Sequence, residues 1–257
     1  MPSDHRPNRS YAAGVEPVRQ YGSVKGHYRD RTVADGYDGD RFGGAGRRAR
    51  NARELAAVGR AIERARRLGA PIGDVLDLPC GTGRLFSLLH RDGIRFVGGD
   101  ISLAMMAHAR TKVVTDRQPG VIDLVQCEAE RLPFKARSFD CVVSLRFMLH
   151  LDRAARRKTL VEMARVTRRW LVIDVRHKYT TRYLTRLLRK RLSVLRAVGY
   201  RFSRAALEHE LRDAGLRLVE VFPSRQLLRW FSDKWFILAE AGDVASGPAG
   251  REGPSRP

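Results

Sequence analysis

Cysteine is scarce in this chain: Cys80, Cys127 and Cys141 are odd in number, far apart, and form no C-x-x-C or paired Cys/His pattern. That spacing excludes a disulfide framework and gives no zinc site. Long hydrophobic runs are also lacking. No window reaches the roughly 18 apolar residues of a membrane span, and the opening residues hold no apolar stretch of signal-peptide length. Acidic residues are in deficit, with 28 Asp and Glu against 49 Lys and Arg and a net charge of +21. Such a balance favours anionic partners, although arginine also accumulates for compositional reasons, so its distribution must decide. These absences lead to the expectation of a soluble, cytoplasmic protein.

What is present is enough for one substantial core, since 43% of 257 residues are hydrophobic. The expected organisation is a single domain over 21–240 between disordered tails at 1–20 and 241–257, both rich in Pro, Gly, Ser and charge. Within that domain, 21–52 reads as an N-terminal cover segment and 177–200 as a basic amphipathic cover helix.

From residue 53 onward, strand-length apolar runs alternate with helical periodicity, the pattern of a parallel sheet covered on both faces. Strands are expected at Asp74–Leu78, Arg95–Gly98, Val121–Gln126, Cys141–Leu145 and Trp170–Val175. Helices are expected at Arg53–Leu68, Thr82–Arg91, Leu103–Lys112, Arg153–Val166 and Ser203–Ala214, with Ser102 and Asp152 as N-caps. LRLVEVF and KWFILAE then form an antiparallel pair at one edge. The fold class is α/β: a Rossmann-like, seven-stranded, mostly parallel sheet with an antiparallel last strand.

The first strand runs into VLDLPCGTGRL (Val75 to Leu85), at the strand-to-helix turn where open α/β sheets bind ligands. Gly81 and Gly83 allow the backbone to approach a ligand, and the N–H groups beyond them suit a carboxylate or phosphate. A dinucleotide fingerprint needs a third glycine where Phe86 stands, and no Lys-Ser or Lys-Thr follows to make a phosphate loop. What remains is an acid at each of three neighbouring strand ends: Asp77, Asp100 and Glu128.

With those residues the chain resembles the class I S-adenosylmethionine-dependent methyltransferases from about Tyr37 to Ala239. VLDLPCGTG resembles their first motif, with its aspartate at Asp77, and GGDIS resembles the second strand end, where Asp100 would grip both ribose hydroxyls. ISLAMMAHAR resembles the helix that lays a methionine, here Met105, near the adenine. CEAERLPF resembles the third motif, with Glu128 and Ala129 at the adenine edge, and FDCVVSLRFMLHL the fourth strand and its loop. VADGYDGDRF resembles the cover segment that places Tyr37 and Arg41 over the cofactor's methionine part. The resemblance thus implies S-adenosyl-L-methionine as cofactor, no metal, and a binding set that further includes Pro79, Cys80, Gly81, Thr82, Gly83, Ile101, Ser144 and Leu145. Pro79 stands where the family often has its first glycine. Its fixed φ suits a chain leaving a strand, and it removes one donor from the loop.

The cofactor's sulfonium, ammonium, carboxylate and ribose diol call for acids near cations and diol, and N–H groups near the carboxylate, which is the inventory found. Methyl transfer from a sulfonium is an in-line displacement that positioning can accelerate, with a base needed only where the acceptor must lose a proton. The base would lie beyond strands four and five, where His150, His177, Arg146, Arg176 and Tyr179 stand. His150, in FMLHL, competes with a reading as a packing histidine; His177 reads as the more open of the two.

The expected acceptor is a small or lipophilic molecule with an O, N or C nucleophile. In KYTTRYLTRLLRKRLSVLRAV, Leu184, Leu187, Leu188, Leu192 and Leu195 fall opposite Arg182, Arg186, Arg189 and Arg196. Those leucines could simply cover the core; the sharper reading is peripheral contact with an anionic membrane through 180–198. RNA methylation is an alternative supported by charge but by no RNA module. A non-catalytic protein of the same fold, binding the cofactor or a partner, is the other.

Overall fold

The computed structural model describes residues 44–69, 71–91, 93–115, 121–178, 201–224 and 232–242, together with Gly26, Ala34, Tyr37, Thr180 and Arg191. The expected tails (apart from 241–242), Arg41, Tyr179 and nearly all of the basic helix lie outside the described residues.

The elements follow a β-α order: α1 (Ala45–Arg67), β1 (Asp74–Asp77), α2 (Phe86–Arg91), β2 (Arg95–Asp100), α3 (Leu103–Thr115), β3 (Val121–Gln126), β4 (Phe139–Ser144), a 3-10 turn (Met148–His150), α4 (Arg153–Val166), β5 (Thr167–Arg176), α5 (Arg204–Asp213), β6 (Leu216–Pro223) and β7 (Lys234–Ala241). The seven strands form one sheet in the order β3-β2-β1-β4-β5-β7-β6. β1 to β5 pair in parallel, and β7 runs antiparallel to both β5 and β6. The expected antiparallel pair is therefore present, with β7 inside the sheet and β6 at the edge. β7 explains its position: Phe236, Ile237, Leu238 and Ala239 are all fully buried, as a strand covered on both faces requires.

Successive strand residues point to opposite faces and build two cores. Val75, Phe96, Cys141, Val143, Val172 and Leu238 meet α1, α2 and α3 through Ala57, Val58, Ile62, Phe86, Leu89 and Met106. Leu76, Val142, Leu171, Ile173 and Ile237 meet α4 and α5 through Leu160, Met163, Leu207 and Leu211. Asp152 caps α4 by accepting from the Ala155 N–H at 2.9 Å, and the Ser102 hydroxyl accepts from the Met105 N–H at 3.3 Å, as expected of both.

Two helix starts differ from the expectation by several residues. α1 begins at Ala45, eight residues early, because its first two turns are arginine-rich and mostly exposed and so carry little apolar period. α2 begins at Phe86 instead of Thr82, because Gly81 and Gly83 adopt φ of +54° and +77°, which a right-handed helix does not contain.

The order of strands reverses between β1 and β4, which leaves a crevice above their carboxyl ends. Asp77, Asp100 and Ser144 are the last residues of β1, β2 and β4, and Glu128 follows β3 by two residues.

Candidate active site

The loop after β1 is tied to the end of β2 through one carboxylate. Asp100 Oδ2 accepts the Gly81 N–H at 2.8 Å, and its Oδ1 accepts the Ser102 N–H at 2.9 Å. The Cys80 N–H reaches the Gly99 carbonyl at 2.8 Å. The Leu78–Pro79 peptide is cis. A Cβ at Gly83 would meet the Phe86 ring at 2.7 Å, so a side chain there would have to displace a fully buried ring. That ring packs on Phe96 with centroids 4.9 Å apart, filling the space where a dinucleotide fold brings helix and strand together on a third glycine.

Asp77 is 2% exposed, and among the described residues its Oδ2 accepts no hydrogen bond. Burial and the neighbouring Asp100 carboxylate push its pKa well up, against the pull of Arg84. Burial also raises Asp100, against hydrogen bonds from the Ser102, Gly81 and Ile101 N–H groups. A buried carboxylate with an unused oxygen suits a ligand that brings a cation or hydroxyl donors. The ammonium, sulfonium and ribose diol of S-adenosylmethionine supply those groups.

The rest of the expected binding set lies at the same strand ends. Cys127 N–H bonds the Asp100 carbonyl at 2.9 Å, which brings half-buried Glu128 and buried Ala129 beside the end of β2. Met105 is buried on the first turn of α3, beside half-buried Ile101. Leu78 N–H bonds the Val143 carbonyl at 2.9 Å, so the buried Ser144 and Leu145 adjoin the loop at Pro79. Thr82 is buried, with Lys112 Nζ 3.5 Å from its hydroxyl. Tyr37 is half-buried, and Arg41 lies outside the described residues.

The two histidines occupy different settings. His150 is half-buried in the 3-10 turn, between the buried Met148 and Leu151. His177 is only 7% exposed, far less open than its loop position suggests, because it stacks on Trp235 with ring centroids 3.7 Å apart. Its carbonyl accepts from Arg201 Nη1 at 3.0 Å. Burial and Arg201 lower its pKa, against Asp233.

A buried charge cluster beside these groups is invisible to sequence reasoning. Glu54 on α1, 3% exposed, receives Arg84 at 2.6 Å, Arg146 at 3.1 Å and Lys234 at 3.2 Å, all on Oε2. Lys234 also reaches the fully buried Asp174 of β5 at 2.6 Å. Asp174 Oδ1 in turn accepts the Arg146 N–H, at a residue whose φ is +57°. Burial pushes the Glu54 pKa up, but Lys234, Arg146 and Arg84 outweigh it and hold it at about 2. In an arginine-rich helix, Glu54 reads as one more solvated charge, and no local signal distinguishes it.

A family model for a methyltransferase domain matches residues 75–169. A ubiquinone/menaquinone biosynthesis C-methyltransferase UbiE of Pseudomonas paraeruginosa is 39% identical over 88 residues, covering 32% of this chain and 34% of that protein. Its counterpart in Xylella fastidiosa is 32% identical over 112 residues, covering 37% and 44%. The chain thus spans about a third of the length of the first curated relatives it matches, 34%. The fold matches the crystal structure of magnesium protoporphyrin IX methyltransferase (ChlM) from Synechocystis with bound SAH, at a TM-score of 0.67 and 18% identity, over 87% of this chain and 100% of that one. Residues 75–169 thus match a methyltransferase-domain model, and the chain shares the fold of that methyltransferase structure.

Proposed function

We propose that this chain binds S-adenosylmethionine at the carboxyl ends of β1 to β4 and transfers its methyl group to a small or lipophilic acceptor held beyond β4 and β5. The observation that carries the reading is the buried Asp77 carboxylate, one oxygen of which accepts no hydrogen bond among the described residues, beside an Asp100 already oriented by the loop. When bound, the cofactor supplies a methyl group on a cationic sulfur. Asp77 offsets positive charge at the methionine end, while Asp100 retains lone pairs to accept from ribose hydroxyls. The chain at Gly81 to Gly83 comes close to the ligand because two positive-φ glycines carry no side chain there. Met105, Glu128 and Ala129 line the adenine end, and Tyr37 covers the methionine part.

The acceptor class is supported by the quinone-biosynthesis name of the relatives and by the amphipathic pattern over 180–198, which with a net charge of +21 suits an anionic membrane surface. Where the acceptor has a proton to lose, His177 takes it: burial and Arg201 lower its pKa and favour the neutral imidazole, and Trp235 fixes the ring plane.

Purified protein incubated with methyl-labelled cofactor and separate lipid, quinone and RNA extracts tests the reading. Label should appear in the lipid or quinone fraction and fall strongly for His177→Ala, while calorimetric affinity for S-adenosylhomocysteine stays at the wild-type value. Label in RNA alone overturns the acceptor class; cofactor binding without transfer to any fraction overturns turnover.

A further inference from the structure

We infer that Glu54 is a positioning residue that locks the cofactor loop to the turn after β4, so that the two halves of the active site hold one geometry. This inference rests on the proposed cofactor site.

Arg84 directly follows Gly83, and two groups on one face of α1 fix its guanidinium: Asn51 Oδ1 accepts from Nε at 2.6 Å and Glu54 Oε2 from Nη2 at 2.6 Å. The loop's exit is thereby fastened to a long helix. The same Oε2 takes Arg146 Nε at 3.3 Å and Nη2 at 3.1 Å. Arg146 occupies the left-handed region, an unfavourable conformation for a residue with a side chain, and it persists only where the surroundings hold it. Its N–H on Asp174 and its guanidinium on Glu54 are those restraints. Lys234 closes the circuit by bridging Glu54 and Asp174.

One carboxylate oxygen thus joins the cofactor loop, the turn beyond β4 and the first residue of β7. Buried ion clusters are weak sources of stability, because desolvating each charge offsets much of the attraction. Geometry is what such a cluster provides here: any displacement of the Arg146 turn pulls on Glu54, hence on Arg84 and the N–H groups at 81–83. By reciprocity, filling one half of the site tightens the other.

The test is calorimetric binding of S-adenosylhomocysteine to the full chain, at a temperature where near-ultraviolet circular dichroism shows each variant folded. Glu54→Gln leaves three cations around a neutral amide and could unfold. The double variant Glu54→Gln/Lys234→Met removes one anion with one cation, and Arg84→Gln removes the tether from the loop side. Each folded variant should bind roughly tenfold more weakly than wild type, and combining Arg84→Gln with Glu54→Gln should add little further loss. Wild-type affinity in the folded double variant or in Arg84→Gln overturns the inference while leaving the cofactor site intact. No binding by the wild-type chain overturns the cofactor reading itself, and the positioning role falls with it.

Discussion

Asp77 is held out of water with an acidic neighbour, and both facts oppose its charge. A cation arriving beside it reverses that balance. Ligand binding must then either find Asp77 ionised or expel its proton, so affinity should rise with pH until Asp77 is fully ionised. Binding of S-adenosylhomocysteine, whose ammonium remains, should release protons when measured in buffers of different ionisation enthalpy. Asp77→Asn should weaken binding by about tenfold and abolish the proton release, since the amide neither titrates nor pairs with a cation. Unchanged proton release in the variant would assign it to another group. Asp77, Asp100 and the glycine pair were legible in the sequence because each is forced by local geometry at a strand end. The Glu54 cluster was not, because its members come from α1, the β1–α2 loop, the turn after β4, β5 and β7. Only folding brings them within 3.2 Å of one oxygen or its neighbour Asp174.

At the scale of elements, capping and periodicity operate within a few residues and so could be read directly. The bounds expected for α4 are the observed ones, and its cap is in place. Asp152→Ala should cost about 1 kcal/mol in denaturant unfolding and leave cofactor affinity unchanged, because its carboxylate is engaged by the Ala155 N–H of its own helix. A large affinity loss would show that α4 positions the site. α1 shows the opposite case: its first turns are helical without an apolar stripe, and they continue the helix that carries Asn51 and Glu54 to the loop. β7 likewise could be identified as a strand, yet its insertion between β5 and β6 depends on which neighbours complete its two buried faces.

Across the whole molecule, cations exceed acids, and several acids sit among arginines. Glu54 is the extreme case, with a folded pKa of about 2 against an ordinary value of 4.5. Its folded pKa lies below the unfolded one, so the stabilisation is present above about pH 4.5 and is lost as pH falls toward 2. That loss is on the order of 3 kcal/mol. Thermal or denaturant unfolding across this window should show the decline, and the folded Glu54→Gln/Lys234→Met variant should show a flatter one. An identical slope would place the acid sensitivity on Glu162, Glu240 and Asp140, whose pKa values are also lowered by nearby arginines and hydrogen bonds. Among the described residues, no helix is long and apolar enough to cross a membrane.

By itself the sequence determined the alternation of strands and helices, the glycine-bearing loop and the three acids at neighbouring strand ends. Each of those follows from side-chain periodicity, backbone freedom or capping over a few adjacent residues. Tertiary structure alone decided that β7 enters the sheet interior, that His177 is buried against Trp235, and that Glu54 becomes the common partner of three cations. The physical reason is range: burial and charge pairing are set by residues far apart in the chain, and they exist only once the sheet has brought its strand ends together.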